Sequence, residues 1–236
     1  MAGIWKKEVF KAITFSFDDA VVQDIYLIEL LNRYNLKATF NINSGLLSRQ
    51  DIIVRDNQNI CHYKLGAHQI KDIYKGHEVA VHTLTHPMLP TLSDDEVVRQ
   101  IEQDRINLEA IFGYDIRGMA YPGGGPYCFD DRVVGLIKDK TKIKYARTTT
   151  LTDSLEPQDD LLRFMPNAQF NQYERMYKLA DELFSHNGNT PKILYIWGHS
   201  YENDYNSSYW QRLEDFFKYV SGRSDVYYGT NSEVLL

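Results

Sequence analysis

Residues 13–19 read Ile-Thr-Phe-Ser-Phe-Asp-Asp, and this stretch decides how the rest of the chain is interpreted. Its alternation of apolar and polar residues predicts a β-strand, which ends in two adjacent carboxylates, Asp18 and Asp19. Further along, His82-Thr-Leu-Thr-His86 supplies two imidazoles. One carboxylate and two imidazoles can hold a zinc-like divalent ion and leave a position open for water, as catalytic metal sites do. The second carboxylate would then be free to take a proton from that water.

Outward from this stretch, predicted strands and helices alternate along the whole chain. The pattern amounts to about seven strand-helix units, which predicts an α/β fold, either a parallel barrel or an open doubly wound sheet. The polar stretch 44–66 is predicted to be an irregular surface loop near the mouth of the site. The predicted strands are 12–17, 37–43, 78–82, 117–121, 144–148, 192–197 and 225–228, and the predicted helices are 21–34, a short one ending at Tyr74, 93–112, 129–139, 171–186 and 208–221.

Composition limits the setting of such a protein. A chain of 236 residues with 43% hydrophobic residues can form one core, so a single domain spanning 1–236 is expected. A formal charge of -6 disfavours nucleic acid or an anionic membrane as the main partner. No apolar run could span a bilayer, and the first residues lack the apolar core of a secretory signal, so a cytoplasmic protein is expected. Cys61 and Cys128 are interpreted as reduced thiols.

Four of the candidate residues fall where predicted parallel strands end, and so on one rim of the sheet: Asp18, Asp19, His82 and His199. For the two aspartates the alternative is a cap on the following helix. A helical metalloprotease would need Glu directly after the first histidine, and Thr83 stands there instead. The histidines for which no direct role is expected are His62, His68, His77 and His186.

These motifs resemble those of the polysaccharide deacetylases of carbohydrate esterase family 4, the nodulation-type chitooligosaccharide deacetylase homology domain. Residues 16–20, Ser-Phe-Asp-Asp-Ala, match the family's Thr-Phe-Asp-Asp-Gly, and residues 82–87, His-Thr-Leu-Thr-His-Pro, match its second motif in full. The resemblance runs roughly from Lys11 to Thr230. It implies a distorted (β/α)7 barrel and a hydrolase that removes acetyl groups from N-acetylated or O-acetylated sugars.

The resemblance also implies a role for each matching residue. Asp18 is similar to the family's catalytic base, and Asp19, His82 and His86 are similar to its metal ligands. The implied ion is zinc, with cobalt, nickel or manganese as alternatives. His199, in the stretch 194–199, is similar to the general acid that protonates the leaving group.

The third and fourth motifs depart from the family pattern. Ala120 stands where many members have an arginine that pairs with the base, and Arg147 could supply that charge from another strand or form a plain structural ion pair. An oxyanion donor is placed near Gly123. The carboxylate that orients the late histidine has no clear match, and the candidates are Asp153, Asp159 and Asp160, with Phe164 as a replacement aromatic residue.

Aromatic residues near the late histidine suggest a sugar-binding surface, because sugar rings stack on aromatic faces. Glu202 is interpreted either as a partner for a substrate hydroxyl or as the start of a solvated loop. The residues predicted to contact substrate are Tyr121, Gly123, Trp197 and Tyr201.

The leading hypothesis is a metal-dependent carbohydrate deacetylase, with N-acetyl preferred to O-acetyl groups. Its partner would be an acetylated oligo- or polysaccharide. The alternatives are a catalytically silent sugar-binding protein of the same fold and a hydrolase of another small amide or ester. The sequence specifies neither the sugar nor the oligomeric state.

Overall fold

The structure is a computed structural model that describes Trp5 and residues 9–236. Its strands are β1 Lys11–Asp18, β2 Ala38–Ile42, β3 Gln50–Arg55, β4 Gln58–Tyr63, β5 Glu78–Val81, β6 Gly118–Ala120, β7 Tyr145–Arg147, β8 Ala168–Gln169, β9 Lys192–Gly198 and β10 Tyr227–Tyr228. Its α-helices are α1 Asp24–Arg33, α2 Ala67–Ile73, α3 Asp94–Phe112, α4 Asp131–Lys140, α5 Tyr173–Ser185, α6 Tyr209–Val220 and α7 Asn231–Leu235.

Parallel strands form the main sheet, in the order β7-β6-β5-β2-β1-β9-β8, with β10 paired to the beginning of β1. All eight residues of β1 are buried, as expected for a central strand covered on both faces. The sheet curls into a half-barrel with helices outside it, so the predicted α/β fold of the distorted (β/α)7 type is confirmed.

An irregular segment brings the two edges of the curled sheet together. Phe164 forms a parallel bridge with Arg147 of β7, and its amide donates to Ala146 O at 3.0 Å. Four residues later, Ala168 of β8 pairs with Ile196 of β9. The sequence analysis did not predict β8, because a strand of two residues has no periodicity that a pattern could reveal.

Alternation along the strands separates two layers of side chains. Phe15 and Phe17 of β1 point outward and pack in the main hydrophobic cluster, where the Phe15 ring lies 5.2 Å from that of Phe217 on α6. Tyr195 and Trp197 of β9 point inward and pack with Val234 of α7. Because successive strand residues face opposite sides, Ser16 and Asp18 share the inward face with them.

The stretch 44–66, predicted to be an irregular loop, contains an antiparallel hairpin formed by β3 and β4. Its turn is Asp56-Asn57, and both residues have positive φ, 49° and 61°. Such a two-residue turn matches the right-handed twist of the flanking strands, and Asp and Asn tolerate this conformation. The prediction was wrong because this turn signal was not recognised between two short strands of mixed polarity.

Two further findings concern the cysteines and the apolar character of the helices. Cys61 is exposed and Cys128 is buried, and neither takes part in a disulfide. Among residues 9–236, no helix combines the length and the apolar character that crossing a membrane would require.

Candidate active site

The two adjacent carboxylates lie at the carboxyl end of β1, where the chain turns sharply. Asp19 and Ala20 both have positive φ, 88° and 53°. Ala20 occupies the place at which glycine would adopt this conformation without steric cost. Helix α1 begins only at Asp24, and its N-cap, Gln23, makes no side-chain capping bond. The aspartates therefore do not cap a helix, and the structural alternative considered for them is excluded.

Asp19, His82 and His86 form a cluster that could hold a metal ion. One ligand atom from each lies within 4.8 Å of the others. His82 Nδ1 lies 2.9 Å from Ala120 O, and since a carbonyl can only accept, this nitrogen carries the proton. The lone pair of Nε2 is then free for a cation, and the ring orientation is fixed as in known metal sites. Burial lowers the pKa of His82 to about 4, which keeps the imidazole neutral.

Asp18 is buried and paired with Arg147. Arg147 Nη2 donates to both carboxylate oxygens of Asp18, at 2.7 Å and 2.5 Å, and its guanidinium lies 4.5 Å from the centre of the Trp197 ring. Asn41 Nδ2 donates to Asp18 Oδ1 at 2.8 Å. Burial alone would raise the pKa of Asp18, but Arg147, His82 and His199 outweigh it and lower that pKa. Asp18 is therefore ionised. Arg147, which lies on a different strand from Ala120, provides the guanidinium that contacts it.

His199 follows β9 and faces Asp18 from the opposite side of the rim. Its Nε2 lies 3.8 Å from Asp18 Oδ2, and its Nδ1 lies 3.2 Å from Glu202 Oε1. Burial would lower the pKa of His199, but Glu202 and the two aspartates together raise it to about 9. The imidazole is therefore protonated at neutral pH.

Glu202, rather than any of the predicted aspartates, is the carboxylate that orients His199. Asp153 pairs with Arg175, and Asp160 pairs with Arg163. Asp159 lines a different cavity, together with Phe164, whose ring packs 5.2 Å from Tyr195 inside the barrel. Glu202 itself is 9% exposed, so neither a solvated loop nor a free partner for substrate describes it. The signal for it was a carboxylate three residues after His199 on one helical turn.

The hairpin contributes two residues to the site that the sequence analysis did not select. His62 Nε2 lies 3.2 Å from Asp19 Oδ2, and Lys64 Nζ lies 3.0 Å from Asp19 Oδ1. His62 lies near the end of β4 and Lys64 directly follows that strand, and because the two are two residues apart they share a face of the hairpin. Burial would raise the pKa of Asp19, but the His62 hydrogen bond and the charge of Lys64 hold it well below its usual range.

A cleft of about 310 Å³ opens beside the cluster, between the hairpin and the rim. Tyr201 stands at its edge, with its ring 4.8 Å from that of His62 and 5.2 Å from that of His199. The cleft is lined by Asp19, Leu46, Arg49, Asp51, Ile53, His62, Lys64, Thr85, His86 and Tyr201. Tyr201 is thus placed where the sequence analysis expected a substrate contact.

The other predicted substrate contacts are arranged differently. Tyr121 is fully buried, its hydroxyl donates to Leu162 O at 2.9 Å, and its amide donates to Arg147 O, so its side chain has no access to the cleft. Trp197 is 8% exposed and serves mainly as the surface on which the guanidinium of Arg147 stacks. Gly123 has φ 83°, and a β-carbon there would lie 2.9 Å from Met88 Sδ.

The sequence model of the polysaccharide deacetylase family matches residues 6–145. The chain belongs to this family. The matched part contains Asp18, Asp19, His82 and His86. A search of curated proteins finds no match.

Solved structures similar to this chain share its fold at low identity. A mutant of a CE4-family pseudoenzyme from Bacillus anthracis is 19% identical over 96% of this chain and 67% of that one, with a TM-score of 0.58. The Xyl-CE4 domain of a multidomain xylanase from the hindgut metagenome of Trinervitermes trinervoides is 16% identical over 95% and 89%, with a TM-score of 0.58. A polysaccharide deacetylase from Bacillus cereus is 21% identical over 64% and 45%, with a TM-score of 0.51, so the chain spans less than half of that relative.

Proposed function

We propose that this member of the polysaccharide deacetylase family is a metal-dependent hydrolase that removes acetyl groups from an oligo- or polysaccharide. The observation that carries the proposal is the position of Asp18, an ionised carboxylate that lies between the Asp19-His82-His86 cluster and the protonated His199. A base, a cation site and an acid are the three parts that metal-dependent hydrolysis of an acetyl group uses. They meet beside a cleft that is open to solvent.

Asp18 is proposed to be the general base. Arg147 holds both of its oxygens, and Asn41 holds one of them, so the carboxylate is fixed and kept ionised. An ionised carboxylate can accept the proton of the attacking water at any pH near neutral. Arg147 would then have the function expected of the arginine that is missing at Ala120.

His199 is proposed to be the general acid, held in place by Glu202. A protonated imidazole can donate to a leaving group and later recover the proton from solvent. Cleavage of an amide depends on protonation of its nitrogen far more than cleavage of an ester depends on protonation of its oxygen. A histidine whose pKa is raised by Glu202, Asp19 and Asp18 is suited to donate that proton, which supports N-acetyl rather than O-acetyl groups as the preferred substrate.

Asp19, His82 and His86 are proposed to hold a divalent ion, with zinc the first choice, because one carboxylate and two imidazoles suit zinc. Bound there, the ion would polarise the acetyl carbonyl and acidify water. The amide of Gly123 is a second candidate donor to the carbonyl oxygen, because in the part of the chain that the structure describes no protein group accepts from it.

The alternative function is that of a catalytically silent sugar-binding protein. The absence of arginine at Ala120 and the similarity to a pseudoenzyme favour it. Against it, Arg147 supplies a guanidinium to Asp18 and Glu202 supplies a carboxylate to His199. Both departures from the family pattern are thus compensated within this chain, which supports an active enzyme.

The test is acetate release from N-acetylglucosamine oligomers and O-acetylated xylo-oligosaccharides. Zinc-loaded protein, metal-stripped protein and the Asp18→Asn variant are compared, with His68→Ala as a control because His68 is exposed and outside the site. The proposal expects release by the zinc-loaded protein and the control only, and faster release from the N-acetylated series. Tight binding of these sugars without release by any sample would favour the sugar-binding alternative.

A further inference from the structure

The ammonium group of Lys64 is buried against a carboxylate that is proposed to bind the metal. Its side chain is 3% exposed, and Nζ lies 3.0 Å from Asp19 Oδ1. The contact is built into the backbone, because Leu65 donates to Ala20 O at 2.8 Å and Val22 donates to Tyr63 O at 2.9 Å. These two hydrogen bonds link the end of the hairpin to the turn that carries Asp19, and they hold Lys64 beside the site.

Each of the two aspartates of the site is paired with a positively charged side chain of the protein. Asp18 is paired with Arg147, and Asp19 is paired with Lys64, and all four side chains are at most 10% exposed. Two complete ion pairs leave no net negative charge to attract a cation. A divalent ion at Asp19 would lie within a few ångströms of a positive charge that water screens poorly.

We propose that the ammonium group of Lys64, paired with one oxygen of Asp19, weakens the affinity of the site for its divalent cation. This inference rests on the proposed function, since it takes Asp19 to be a metal ligand. Two consequences follow. Occupancy of the site would depend on the free concentration of the cation, and the fold around the site would be stable without it.

Loss of Lys64 has two opposing effects, and the structure decides which is larger. Removing a partner that orients a ligand ordinarily weakens metal binding about 10- to 100-fold. Asp19, however, keeps the His62 contact on Oδ2, and its amide remains bonded to Asn41 O at 3.0 Å. The orientation of the carboxylate is therefore maintained, and removal of the buried positive charge dominates.

The experiment measures zinc affinity by competition with a chelator at one fixed pH, on the stripped full-length chain. Lys64→Met keeps the length of the side chain and removes its charge, and it should bind zinc at least about tenfold more tightly than wild type. Arg49→Met is the matched control, because Arg49 lines the same cleft but pairs with Asp51. It should change the affinity less than about threefold, since its charge is exposed and screened.

A second readout is the shift in melting temperature caused by zinc, which requires no turnover. The shift should be larger for Lys64→Met than for wild type, because stabilisation by a ligand grows with its affinity. Unchanged or weaker zinc binding by a folded Lys64→Met, while wild type binds zinc, would overturn the inference and leave the proposed function intact. Absence of zinc binding by wild type and by both variants would instead overturn the metal-dependent function itself.

Discussion

His199 Nδ1 lies 3.2 Å from Glu202 Oε1, and His199 is the N-cap residue of the 3-10 helix Ser200–Tyr205 that contains Glu202. The proposed acid and the carboxylate that contacts it are therefore supplied by one short segment. Glu202 is fixed in turn by the amide of Gln169, whose Nε2 donates to Glu202 Oε2 at 3.0 Å. The pKa of His199 is therefore raised by a contact within this segment together with the charges of Asp19 and Asp18.

Glu202→Gln should lower the pH at which activity declines on the alkaline side. The general acid works only when it is protonated, so activity is present below the pKa of His199 and is lost as the pH rises through it. Glu202 contributes to raising that pKa to about 9, and its neutral replacement should move the alkaline limb of kcat/KM down by about one to two pH units.

The measurement is a pH profile of acetate release. Asp204→Asn removes a carboxylate from the same turn that bonds to Gln23 and Trp210 instead, and it should leave the limb in place. An alkaline limb that does not move in Glu202→Gln would show that His199 is not the acid, or that Glu202 does not control it.

Arg147→Met should reduce both activity and stability. It leaves Asp18 buried without its charged partner, which costs about 3–5 kcal/mol in the free energy of unfolding. The pKa of Asp18 should rise, so the acid limb of kcat/KM should move to higher pH, with a loss of activity of about 100-fold or more.

Denaturant unfolding and the pH profile check this prediction. The double variant Asp18→Asn with Arg147→Met should be more stable than Arg147→Met alone, because no uncompensated charge remains. Arg163→Met, which loses an exposed pair with Asp160, should cost less than about 1 kcal/mol. Equal stability of the single and double variants would contradict the argument.

Asp24→Asn should remove a pH dependence of stability that wild type shows between about pH 4 and pH 7. Asp24 is buried, and it accepts from Ser200 Oγ at 2.5 Å and from Tyr74 Oη at 2.6 Å. Burial raises its pKa from 3.8 to about 7. The folded state therefore favours the protonated form, and the stability that this contributes is complete below pH 4 and lost as the pH rises through 7.

Asparagine is neutral at every pH, and both hydroxyls can rotate to suit it. The free energy of unfolding of Asp24→Asn relative to wild type should therefore increase from pH 4 to pH 8, by up to about 4 kcal/mol. Denaturant titrations at several pH values measure it. A constant difference across this range would mean that Asp24 does not titrate in the folded protein.

Tyr201→Ala should raise KM about tenfold with a smaller effect on kcat, because Tyr201 lines the cleft without contacting Asp18. Tyr201→Phe keeps the ring and should retain a KM close to that of wild type. Steady-state kinetics with a chitooligosaccharide distinguishes the two. Equal KM values for the alanine variant and wild type would remove Tyr201 from the substrate-binding surface.

Prediction from the sequence succeeded in placing residues that end or follow parallel strands on one rim. Asp18 ends β1, His82 follows β5 and His199 follows β9, and the carboxyl ends of parallel strands necessarily meet on one rim. The same reasoning led from Arg147, at the end of β7, to its contact with Asp18.

Prediction from the sequence failed where a contact depends on how a segment that is distant in sequence is placed in the fold. His62 and Lys64 reach Asp19 only because the hairpin folds back over the rim, and no periodicity in the stretch 44–66 indicates this. Tyr121 was misplaced because it follows a strand of three residues, whose alternation is too short to show which side its ring faces. The ring packs against Phe129, 4.7 Å away, in the outer layer.

Phe164, which bridges to β7 at the edge of the curled sheet, separates two sets of proposed functional residues along the chain. The Asp19-His82-His86 cluster and Asp18 lie before it, within the part that the family model matches, whereas His199 and Glu202 lie beyond it. The proposed cation ligands and the proposed proton donor are thus encoded in separate stretches of the chain. Substitutions in one stretch could abolish cation binding or proton donation and leave the other unchanged. A descendant of this protein could therefore lose catalytic activity and still bind the cation.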